Sequence, residues 1–451
     1  MRRLAILLAL LPCEPAGAQT PALADRVRAI LATPDLAGTR WGILVINDAG
    51  REVVAIDPDA RFVPASNSKL PAVLADMAAP APVEGTGVAL EGDDVVLVGA
   101  GDPWLSSAAD CARDCLATLA DAVAARTRRV RDVIGDDRRW VDERWGQGWS
   151  WNNLPTRSGA AISALSLDEN VVALTVKPDG GVAEPSGWYR IEDRVEPGAA
   201  TSLSIERLPR ERTVVVRGTI AGAAPVTLAQ PVDDPAAYAA HRFAGLLRAR
   251  GVKVVGEVKA RHRRPGEPPA ALPLPIARLT PPPLAETYAR TLKASQNLFA
   301  EMSLRRGSAE GTAASGLARY LALFDAAGAA RTGWDFADGS GMSTYNRLSP
   351  RASVALLRWA AGQPFAATFR ASLPIAGVDG TLAARFKGTA LEGRLFAKTG
   401  SLNGASALSG YLTARSGRTL TFAIFANDMP GGAPPVTPAM DRALIEIAEA
   451  N

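Results

Sequence analysis

Three short motifs carry the side chains of this chain that could perform chemistry. Near the N-terminus, Ser66 lies three residues before Lys69 in the run Ser-Asn-Ser-Lys. Ser295 and Asn297 follow two-thirds of the way along the chain, and residues 398–400 form a Lys-Thr-Gly run. Together the motifs supply a serine with a lysine one helical turn away, a second hydroxyl beside an amide, and a cation on a strand. This set of groups can catalyse acyl transfer without histidine. The motifs therefore predict an acyl-transfer enzyme with a serine nucleophile.

The first motif predicts a nucleophile and its base. At i, i+3 on a helix, Ser66 and Lys69 share one face. The positive end of the helix dipole, at the N-terminus of the helix, favours a developing oxyanion at Ser66. Lys69 must be neutral to take the hydroxyl proton, and we expect burial and the charges of Lys398 and Lys293 to lower its pKa. Pro71 predicts a tight first turn. Alone, this spacing is equally typical of an N-cap serine with a surface lysine.

The second motif is weaker by itself, because a helix-surface Ser and Asn would have the same spacing. In the catalytic interpretation, Ser295 passes a proton to the leaving amine. Asn297 then holds the peptide group of the substrate. We expect both residues on a helix, or in the turn after it.

The third motif is the most specific of the three, because this chain has seven lysines among its many basic residues. On a strand, Lys398 and Gly400 point to one face and Thr399 to the other. Gly400 would let substrate approach the strand backbone, while Lys398 and a hydroxyl bind a terminal carboxylate. The backbone N–H groups of Ser66 and Ser401 are the natural oxyanion donors.

Composition excludes several other classes of protein. The 451 residues include 50 Lys+Arg and 46 Asp+Glu, and the arginines are scattered, which indicates a solvated basic surface and not a nucleic-acid interface. A mild positive charge would still favour an acidic polymer such as cell-wall peptide. The two histidines, His241 and His262, lie far from the motifs, which excludes a Ser-His-Asp triad. We interpret both as surface residues beside arginines, and predict no metal and no cofactor.

The N-terminus indicates export. Residues 1–18 combine a charged start, an apolar stretch and a small-residue cleavage site, which predicts a signal peptide cleaved after about Ala18 and a periplasmic protein. Peripheral membrane association is not indicated, and the sequence does not specify the oligomeric state. Cys111 and Cys115, at i, i+4 on a predicted helix, would form either a local disulfide or two free thiols.

Helical patterns are predicted over residues 21–36, 66–78, 108–125 and 284–305, with further helices after residue 313. Strands predicted over residues 394–399, 406–414 and 419–426 are joined by short turns, which favours an antiparallel sheet covered by helices. Most of the chain between Ser66 and Ser295 is a strand-rich insertion. The fold class is therefore α/β, of the α+β type, with the two chain ends forming one unit around the site.

These motifs and their flanking residues resemble the penicillin-recognising serine acyltransferases. More narrowly, the chain resembles the D-alanyl-D-alanine carboxypeptidase/endopeptidase family of low-molecular-mass, class C, type-4 penicillin-binding proteins. The resemblance covers nearly the whole mature chain, and it rests on the following runs besides the three motifs: Pro64-Ala65, Gly101-Asp102-Pro103, Ile162-Ser163-Ala164-Leu165, Leu298-Phe299-Ala300-Glu301, Asp338-Gly339-Ser340-Gly341-Met342-Ser343, Ala376-Gly377-Val378-Asp379-Gly380-Thr381 and residues 401–411.

The resemblance implies a transpeptidase/β-lactamase-like domain, split by an insertion that forms two smaller domains. We assign residues 19–85 and 284–451 to the catalytic domain, 86–165 and 262–283 to inserted domain II, and 166–261 to inserted domain III. It also implies Ser66 as the acylated nucleophile, Lys69 as base and Ser295 with Asn297 as the second motif. The implied ligands are peptidoglycan stem peptides and cross-links, with β-lactams as covalent inhibitors.

The chain departs from this family at residues 151–158. Family members carry an acidic residue where Trp151-Asn152-Asn153 stands here, and some carry Tyr near Ser158. The resemblance associates those groups with the charged end of the diaminopimelyl side chain. Asn153 is therefore a candidate substrate-binding residue that lacks the usual charge. Ser401 stands where Thr is usual, which preserves the hydroxyl.

Two alternatives use the same residues. A β-lactamase or esterase would share the serine–lysine pair, although no dedicated deacylating carboxylate is evident. A non-hydrolytic wall-binding scaffold could retain the fold without the reaction. The sequence does not say whether carboxypeptidase or endopeptidase activity dominates.

Overall fold

The structure is a computed structural model that describes residues 22–308 and 310–451. The predicted signal peptide, residues 1–18, lies outside the described residues. Within the two described ranges, no helix has both the length and the apolar character that crossing a bilayer requires.

The elements fall into an N-terminal segment, a strand-rich middle and a C-terminal segment. The N-terminal segment contains α1 (Leu23–Leu31), β1 (Arg40–Asn47), β2 (Glu52–Ile56) and α2 (Lys69–Ala78). The middle contains β3 (Gly87–Glu91), β4 (Asp94–Val98), α3 (Leu116–Ala124), β5 (Arg129–Val130), β6 (Val133–Val141), β7 (Val171–Val176), β8 (Val182–Ala183), β9 (Arg190–Pro197), β10 (Ser202–Glu206), β11 (Thr213–Ile220), β12 (Val226–Pro231), α4 (Pro235–Ala249), β13 (Lys253–Val254), β14 (Val258–Arg263) and β15 (Ala277–Arg278). The C-terminal segment contains α5 (Leu284–Lys293), α6 (Asn297–Arg305), α7 (Ala313–Ala326), β16 (Trp334–Asp335), β17 (Arg347–Leu348), α8 (Pro350–Ala361), α9 (Ala366–Ser372), β18 (Leu395–Leu402), β19 (Ala405–Thr413), β20 (Thr419–Asn427) and α10 (Thr437–Glu449).

The two chain ends share one five-stranded antiparallel sheet, in the order β18-β19-β20-β1-β2. Its central strands are buried along nearly their whole length, because helices cover both faces. α1 and α10 pack on one face, whereas α2 and α8 pack on the other. This confirms the predicted α/β class and the antiparallel sheet covered by helices.

The middle segment folds around its own sheets. The larger has five strands in the order β14-β6-β4-β3-β15, and α4 packs against β6 and β14. Two sheets of three strands, β10-β11-β9 and β12-β7-β8, and the pair β13-β5 complete the insertion. One buried apolar cluster runs through all of them, from Val88 and Val95 to Val172, Val214 and Val252.

The sheet pairing differs from the predicted domain division at one place. Residues 235–261 were assigned to inserted domain III, yet β14 pairs in parallel with β6 of inserted domain II. The helix α4 packs on the same sheet. The predicted boundary at residue 261 therefore places most of β14 in a different domain from β6, its hydrogen-bonding partner. The other boundaries remain predictions.

Two predicted helices are shorter in the structure. The helix predicted over residues 21–36 ends at Leu31, and a separate 3-10 turn begins at Pro34, whose missing N–H cannot continue the helix. The helix predicted over residues 108–125 forms only as α3, because Cys115 is an extended N-cap residue. The prediction that Cys111 and Cys115 share a helix was therefore wrong. Their sulfur atoms are nevertheless bonded, which decides between the two alternatives in favour of a disulfide.

Candidate active site

Ser66 and Lys69 lie together at the start of α2. Residues Ala65–Ser68 form a 3-10 turn that leads directly into the helix, which is the tight first turn that Pro71 predicts. Ala65 has a φ of +45°, a left-handed conformation unusual for a residue with a side chain, so the turn is strained at the residue before Ser66. The Lys69 Nζ atom lies 2.8 Å from Ser66 Oγ.

The hydrogen bonds of Lys69 define the direction of proton transfer. Its Nζ atom contacts three oxygens: Ser66 Oγ at 2.8 Å, Asn297 Oδ1 at 2.7 Å and the Ser340 carbonyl at 2.5 Å. The Asn297 amide is oriented by Nδ2, which donates to the Ser158 carbonyl at 2.9 Å. Two of the three partners can only accept, so a neutral amine spends both of its N–H groups on them. Its lone pair then faces the one partner that can donate, the hydroxyl of Ser66.

Burial sets the charge of Lys69. The side chain is completely buried, and the loss of hydration lowers its pKa to about 7, against the opposing effect of the Asp338 and Glu301 carboxylates. The predicted direction of the shift and burial as its main cause are confirmed, whereas the predicted charges of Lys398 and Lys293 are not among the causes. Lys293 is engaged elsewhere, where its Nζ donates to Asp379 and to the Leu373 carbonyl. Desolvation, and not a neighbouring cation, therefore prepares Lys69 to accept a proton.

The loop of residues 338–343 holds the Ser340 carbonyl, which is the third partner of Lys69. In the sequence, this run was noted only as part of the family resemblance. Asp338 accepts hydrogen bonds from the backbone N–H groups of Gly341 and Ser343 and from the Asn346 amide. Glu301 accepts from the Ser340 N–H at 2.7 Å. These buried carboxylates hold the Ser340 carbonyl against Lys69. An Asp-Gly-Ser-Gly run is typical of such a turn, but nothing in its sequence identifies the amine it faces.

The second motif occupies a break between two helices. The single helix predicted over residues 284–305 is divided, because α5 ends at Lys293 and α6 begins at Asn297. Ser295 thus lies in the turn after a helix, which was the alternative predicted for this motif. Between the two helices Ser295 has a φ of +55°, which interrupts the helical backbone. Its Oγ receives a hydrogen bond of 2.9 Å from Lys398 Nζ. The break therefore turns Ser295 towards the third motif, while Asn297 contacts Lys69.

Lys398 is a second buried lysine. Besides Ser295, its Nζ donates to the Thr399 carbonyl at 2.7 Å. Burial lowers its pKa well below the ordinary value for lysine, and the nearby Lys69 lowers it further. The site therefore contains two amines with lowered pKa values: Lys69 contacts Ser66, and Lys398 contacts Ser295.

Gly400 serves a different purpose from the one predicted. A Cβ atom there would lie 2.6 Å from the Pro64 carbonyl and 3.1 Å from Asn67 Nδ2. That amide nitrogen also donates to the Lys398 carbonyl at 3.1 Å. The absent side chain therefore lets β18 pack directly against the turn that carries Ser66. The expectation that it makes room for substrate was wrong.

The exposed side of β18 carries the two predicted hydroxyls. Thr399 Oγ1 lies 2.7 Å from Thr381 Oγ1, and Ser401 is exposed. β18 is an edge strand of the five-stranded sheet. An edge strand offers backbone N–H and C=O groups to an extended peptide, so these hydroxyls lie beside a natural peptide-binding edge.

Asn153 lies apart from the other predicted residues. It ends a 3-10 turn, Trp151–Asn153, and its carbonyl accepts hydrogen bonds from Thr156. Within the described part of the chain, no hydrogen bond joins the Asn153 side chain to another predicted site residue. The neighbouring backbone does reach the site through the Ser158 carbonyl. A cavity of about 170 Å³ is lined there by Arg157, Ser158, Arg290 and residues 294–297.

Glu169, a residue of the insertion, fastens this region to the second motif. Its carboxylate accepts from the Gln296 side chain and pairs with both Arg157 and Arg290. Burial alone would raise the pKa of Glu169, but hydrogen bonds from the two arginines lower it, so the group stays charged. Sequence reasoning did not identify this residue, because 127 positions separate it from its partner Gln296.

One cluster has the residue types of a metal site. The carboxylates of Asp137 and Asp142 and the ring of His262 lie within 4.8 Å of one another. Burial would lower the pKa of His262, but hydrogen bonds to Asp137 and Asp234 raise it to about 10. An imidazolium has no lone pair for a cation, and the guanidinium of Arg144 lies 3.3 Å from its Nε2. In this protonation state the cluster forms an ion-pair network, and His262 is half-buried and not the surface residue expected.

Comparisons with known proteins agree with this geometry. Residues 23–449 match the model of the D-Ala-D-Ala carboxypeptidase 3 (S13) family. The chain is 35% identical to a D-alanyl-D-alanine carboxypeptidase of Actinomadura sp. (strain R39), over 97% of this chain and 86% of that protein.

Solved structures share the fold. Penicillin binding protein 4 from Haemophilus influenzae superposes with a TM-score of 0.76 and 21% identity, over 94% of this chain and 97% of that one. The same protein complexed with a β-lactam gives a TM-score of 0.73 and 20% identity, over 94% and 98% of the two chains. With the Ser66–Lys69 contact and the edge strand that carries Lys398, these matches show that the chain belongs to the D-Ala-D-Ala carboxypeptidase 3 (S13) family of serine peptidases.

Proposed function

We propose that this peptidase works in the periplasm on peptidoglycan, where it removes D-Ala from D-Ala-D-Ala termini and splits D-Ala–diaminopimelyl cross-links. Both reactions pass through an acyl-enzyme on Ser66. The observation that carries the proposal is the surroundings of Lys69 Nζ. Its other two partners, Asn297 Oδ1 and the Ser340 carbonyl, only accept, so the neutral amine can take a proton only from Ser66.

The acylation step follows from these contacts. Ser66 Oγ forms a bond to the carbonyl carbon of the penultimate D-Ala while its proton moves to Lys69. The backbone N–H groups of Ser66 and Ser401 stabilise the oxyanion. When the C–N bond breaks, the leaving amine takes the proton that Lys69 received, with Ser295 as the relay, so Lys69 is neutral again. Water then attacks the ester with Lys69 again as base, which releases the shortened peptide and restores Ser66.

Specificity for a terminal carboxylate would come from β18. Thr399 and Ser401 offer hydroxyl donors along its exposed side, and Lys398 is buried behind them. A bound carboxylate would raise the pKa of Lys398 again, because a nearby negative charge favours the ammonium form. The same carboxylate occurs on β-lactams, so we infer that they acylate Ser66. The complex of the structurally similar Haemophilus influenzae protein with a β-lactam supports this inference.

The proposed compartment is supported by two features. Residues 1–18 have the pattern of an export signal. The Cys111–Cys115 disulfide is typical of proteins that fold outside the reducing cytosol.

Digestion of purified muropeptides tests the proposal. The native chain is expected to yield products shortened by one terminal alanine and monomers from cross-linked dimers, distinguished by mass. Ser66→Ala should abolish both products and the mass increase on incubation with penicillin. Ser204→Ala, at an exposed position on β10, is the matched control and should behave as the native chain.

Three results would contradict the proposal in different ways. Unchanged muropeptide processing by Ser66→Ala would rule out this nucleophile. Binding without any product from the native chain would identify a wall-binding scaffold. A penicillin adduct that clears within seconds would instead indicate a β-lactamase or esterase.

A further inference from the structure

The insertion contains a cavity of about 680 Å³ that the peptidase reaction does not use. It lies where the loop after β6, the segment before β9, the β10–β11 loop and the N-terminus of α4 meet. Its walls combine aromatic rings with charges of both signs, contributed by residues 142–145, 188–189, 207, 210–212 and 233–234. A smaller recess at its mouth adds Arg190 and Thr213.

Two of the arginines in the cavity are neutralised. Arg207 is nearly inaccessible and binds both carboxylate oxygens of Asp233. Arg144 donates to Asp142 and Asp234. These pairs are part of the wall, so they leave no net charge for a ligand.

Three other arginines have no such partner. Within residues 22–308 and 310–451, no carboxylate forms a salt bridge with Arg190, Arg210 or Arg212. The Arg190 guanidinium donates to the Thr213 hydroxyl, and that of Arg212 donates to the Trp188 carbonyl at 3.3 Å. All three are exposed at the mouth of the cavity. The two lining sets together hold as many carboxylates as arginines. Among the described lining groups that no salt bridge engages, however, these three arginines face a single carboxylate, that of Glu211.

Arg212 is held in place for a ligand. Its guanidinium carbon lies 3.1 Å from the centre of the Trp188 ring, a cation–π contact that fixes the plane of the group. Although the residue as a whole is exposed, its guanidinium lies against the Trp188 ring and loses part of its hydration, which lowers the pKa of Arg212, and no direct counter-ion offsets this loss. A planar, fixed guanidinium matches the two oxygens of a carboxylate.

We propose that this cavity is a second binding site, which holds a carboxylate-bearing, zwitterionic segment of wall peptide that the enzyme does not cleave. Arg190, Arg210 and Arg212 would bind its carboxylates, and Glu211 its ammonium group. An unsubstituted phosphodiester polymer fits less well, because it has no ammonium group to pair with Glu211. The identity of the peptide rests on the proposed function, whereas the recognition of carboxylates does not.

The cavity is joined to the active site by a short turn. Trp145, in the cavity wall, donates from Nε1 to the Gly159 carbonyl at 3.1 Å. The adjacent Ser158 carbonyl accepts from Asn297, which contacts Lys69. A polymer bound in the cavity would thus lie beside the turn, Arg157–Gly159, that lines the cleavage site. Substrates long enough to span both would be held at two points, which favours polymer over short peptides.

Calorimetric titration of the full chain tests the second site. The probe is a disaccharide tripeptide that ends in diaminopimelate and has no terminal D-alanines, so it cannot be cleaved. Arg210→Ala and Arg212→Gln should each weaken its binding about tenfold, as expected for a lost charge-assisted hydrogen bond. Arg217→Gln is the matched control, because this exposed arginine of β11 pairs with Glu206 outside the cavity. The same probe with its carboxylates amidated should not bind.

The rate of penicillin labelling, measured in each variant, separates this site from the peptidase site. Equal labelling with weakened probe binding in the two cavity variants supports the second site. Unchanged probe binding in both variants, equal weakening in Arg217→Gln, or equal binding of the amidated probe overturns it. If the native chain is not labelled by penicillin but the probe still binds through Arg210 and Arg212, the proposed reaction fails and the carboxylate site stands.

Discussion

Replacement of Lys69 by Arg tests the central feature of the site, a lysine that is neutral near physiological pH. With a pKa of about 7, roughly 90% of Lys69 is neutral at pH 8. At the ordinary value of 10.5 the neutral share would be roughly 0.3%, so burial increases the population of active base about 300-fold. Arginine keeps its proton in proteins. Lys69→Arg should therefore lose the whole contribution of the base, about 10²- to 10⁴-fold in the acylation rate.

The assay is the second-order rate constant for acylation by a fluorescent penicillin between about pH 5 and pH 10. In the native chain the rate should rise with pH, reach half its plateau at about pH 7 and level off above about pH 8, because only the neutral amine accepts the Ser66 proton. A rate that is flat over this range, or half-maximal near pH 10, would refute the reasoning. Retention of the native rate by Lys69→Arg would refute it equally.

Lys69→Met controls for misfolding of the arginine variant. The folded-state pKa lies below the unfolded value, so the unfolded chain binds the extra proton between about pH 7 and pH 10.5, and native stability rises with pH through that window. The penalty for burying this group is complete below pH 7 and absent above pH 10.5. Lys69→Met should thus raise the free energy of unfolding at neutral pH and lose that advantage at high pH, while remaining unable to acylate.

Two further predictions concern a glycine that packs against the nucleophile turn and the disulfide of the insertion. Gly341→Ala should lower the acylation rate about 100-fold, since its Cβ would lie 1.9 Å from the Ala65 carbonyl and displace the nucleophile turn. Gly417→Ala, at a similar φ of +85° with open space around its Cβ, carries the backbone strain without the clash, so it should lower the unfolding temperature less and acylate normally; slow acylation by Gly417→Ala would contradict this explanation. Replacement of Cys111 and Cys115 by serine should cost at most about 2 kcal/mol in chemical denaturation, because the closed loop is very short, and leave acylation unchanged.

The sequence predicted the parts of the site that depend on local spacing. Ser66 and Lys69 meet because i, i+3 residues share a face near the start of a helix. Lys398 lies on a strand of the antiparallel sheet, as the alternating pattern and short turns of the C-terminal part indicate. The tight turn before α2 also follows from a local rule, the position of Pro71.

The parts that sequence reasoning missed depend on long-range contacts. The break at Ser295 has no glycine or proline to mark it, and its left-handed backbone persists because Lys398 and the neighbouring helices hold it. Gly400 looked like space for substrate, because its position opposite Pro64 cannot be read from the strand alone. Asp338 and Glu301 face Lys69 only after three distant segments have packed together.

The contacts of Glu169 indicate that the insertion helps to form the active site. This residue of the middle segment binds the Gln296 side chain and pairs with Arg290 on α5, so it holds the helix break from outside the catalytic unit. The insertion also supplies the Ser158 carbonyl, which accepts a hydrogen bond from Asn297 Nδ2 and so orients that amide. The amide oxygen, Asn297 Oδ1, is then the acceptor for one N–H of Lys69. Without that acceptor, the amine would be free to turn its lone pair away from Ser66. The direction of proton transfer at the nucleophile thus depends on a turn that lies in another part of the fold.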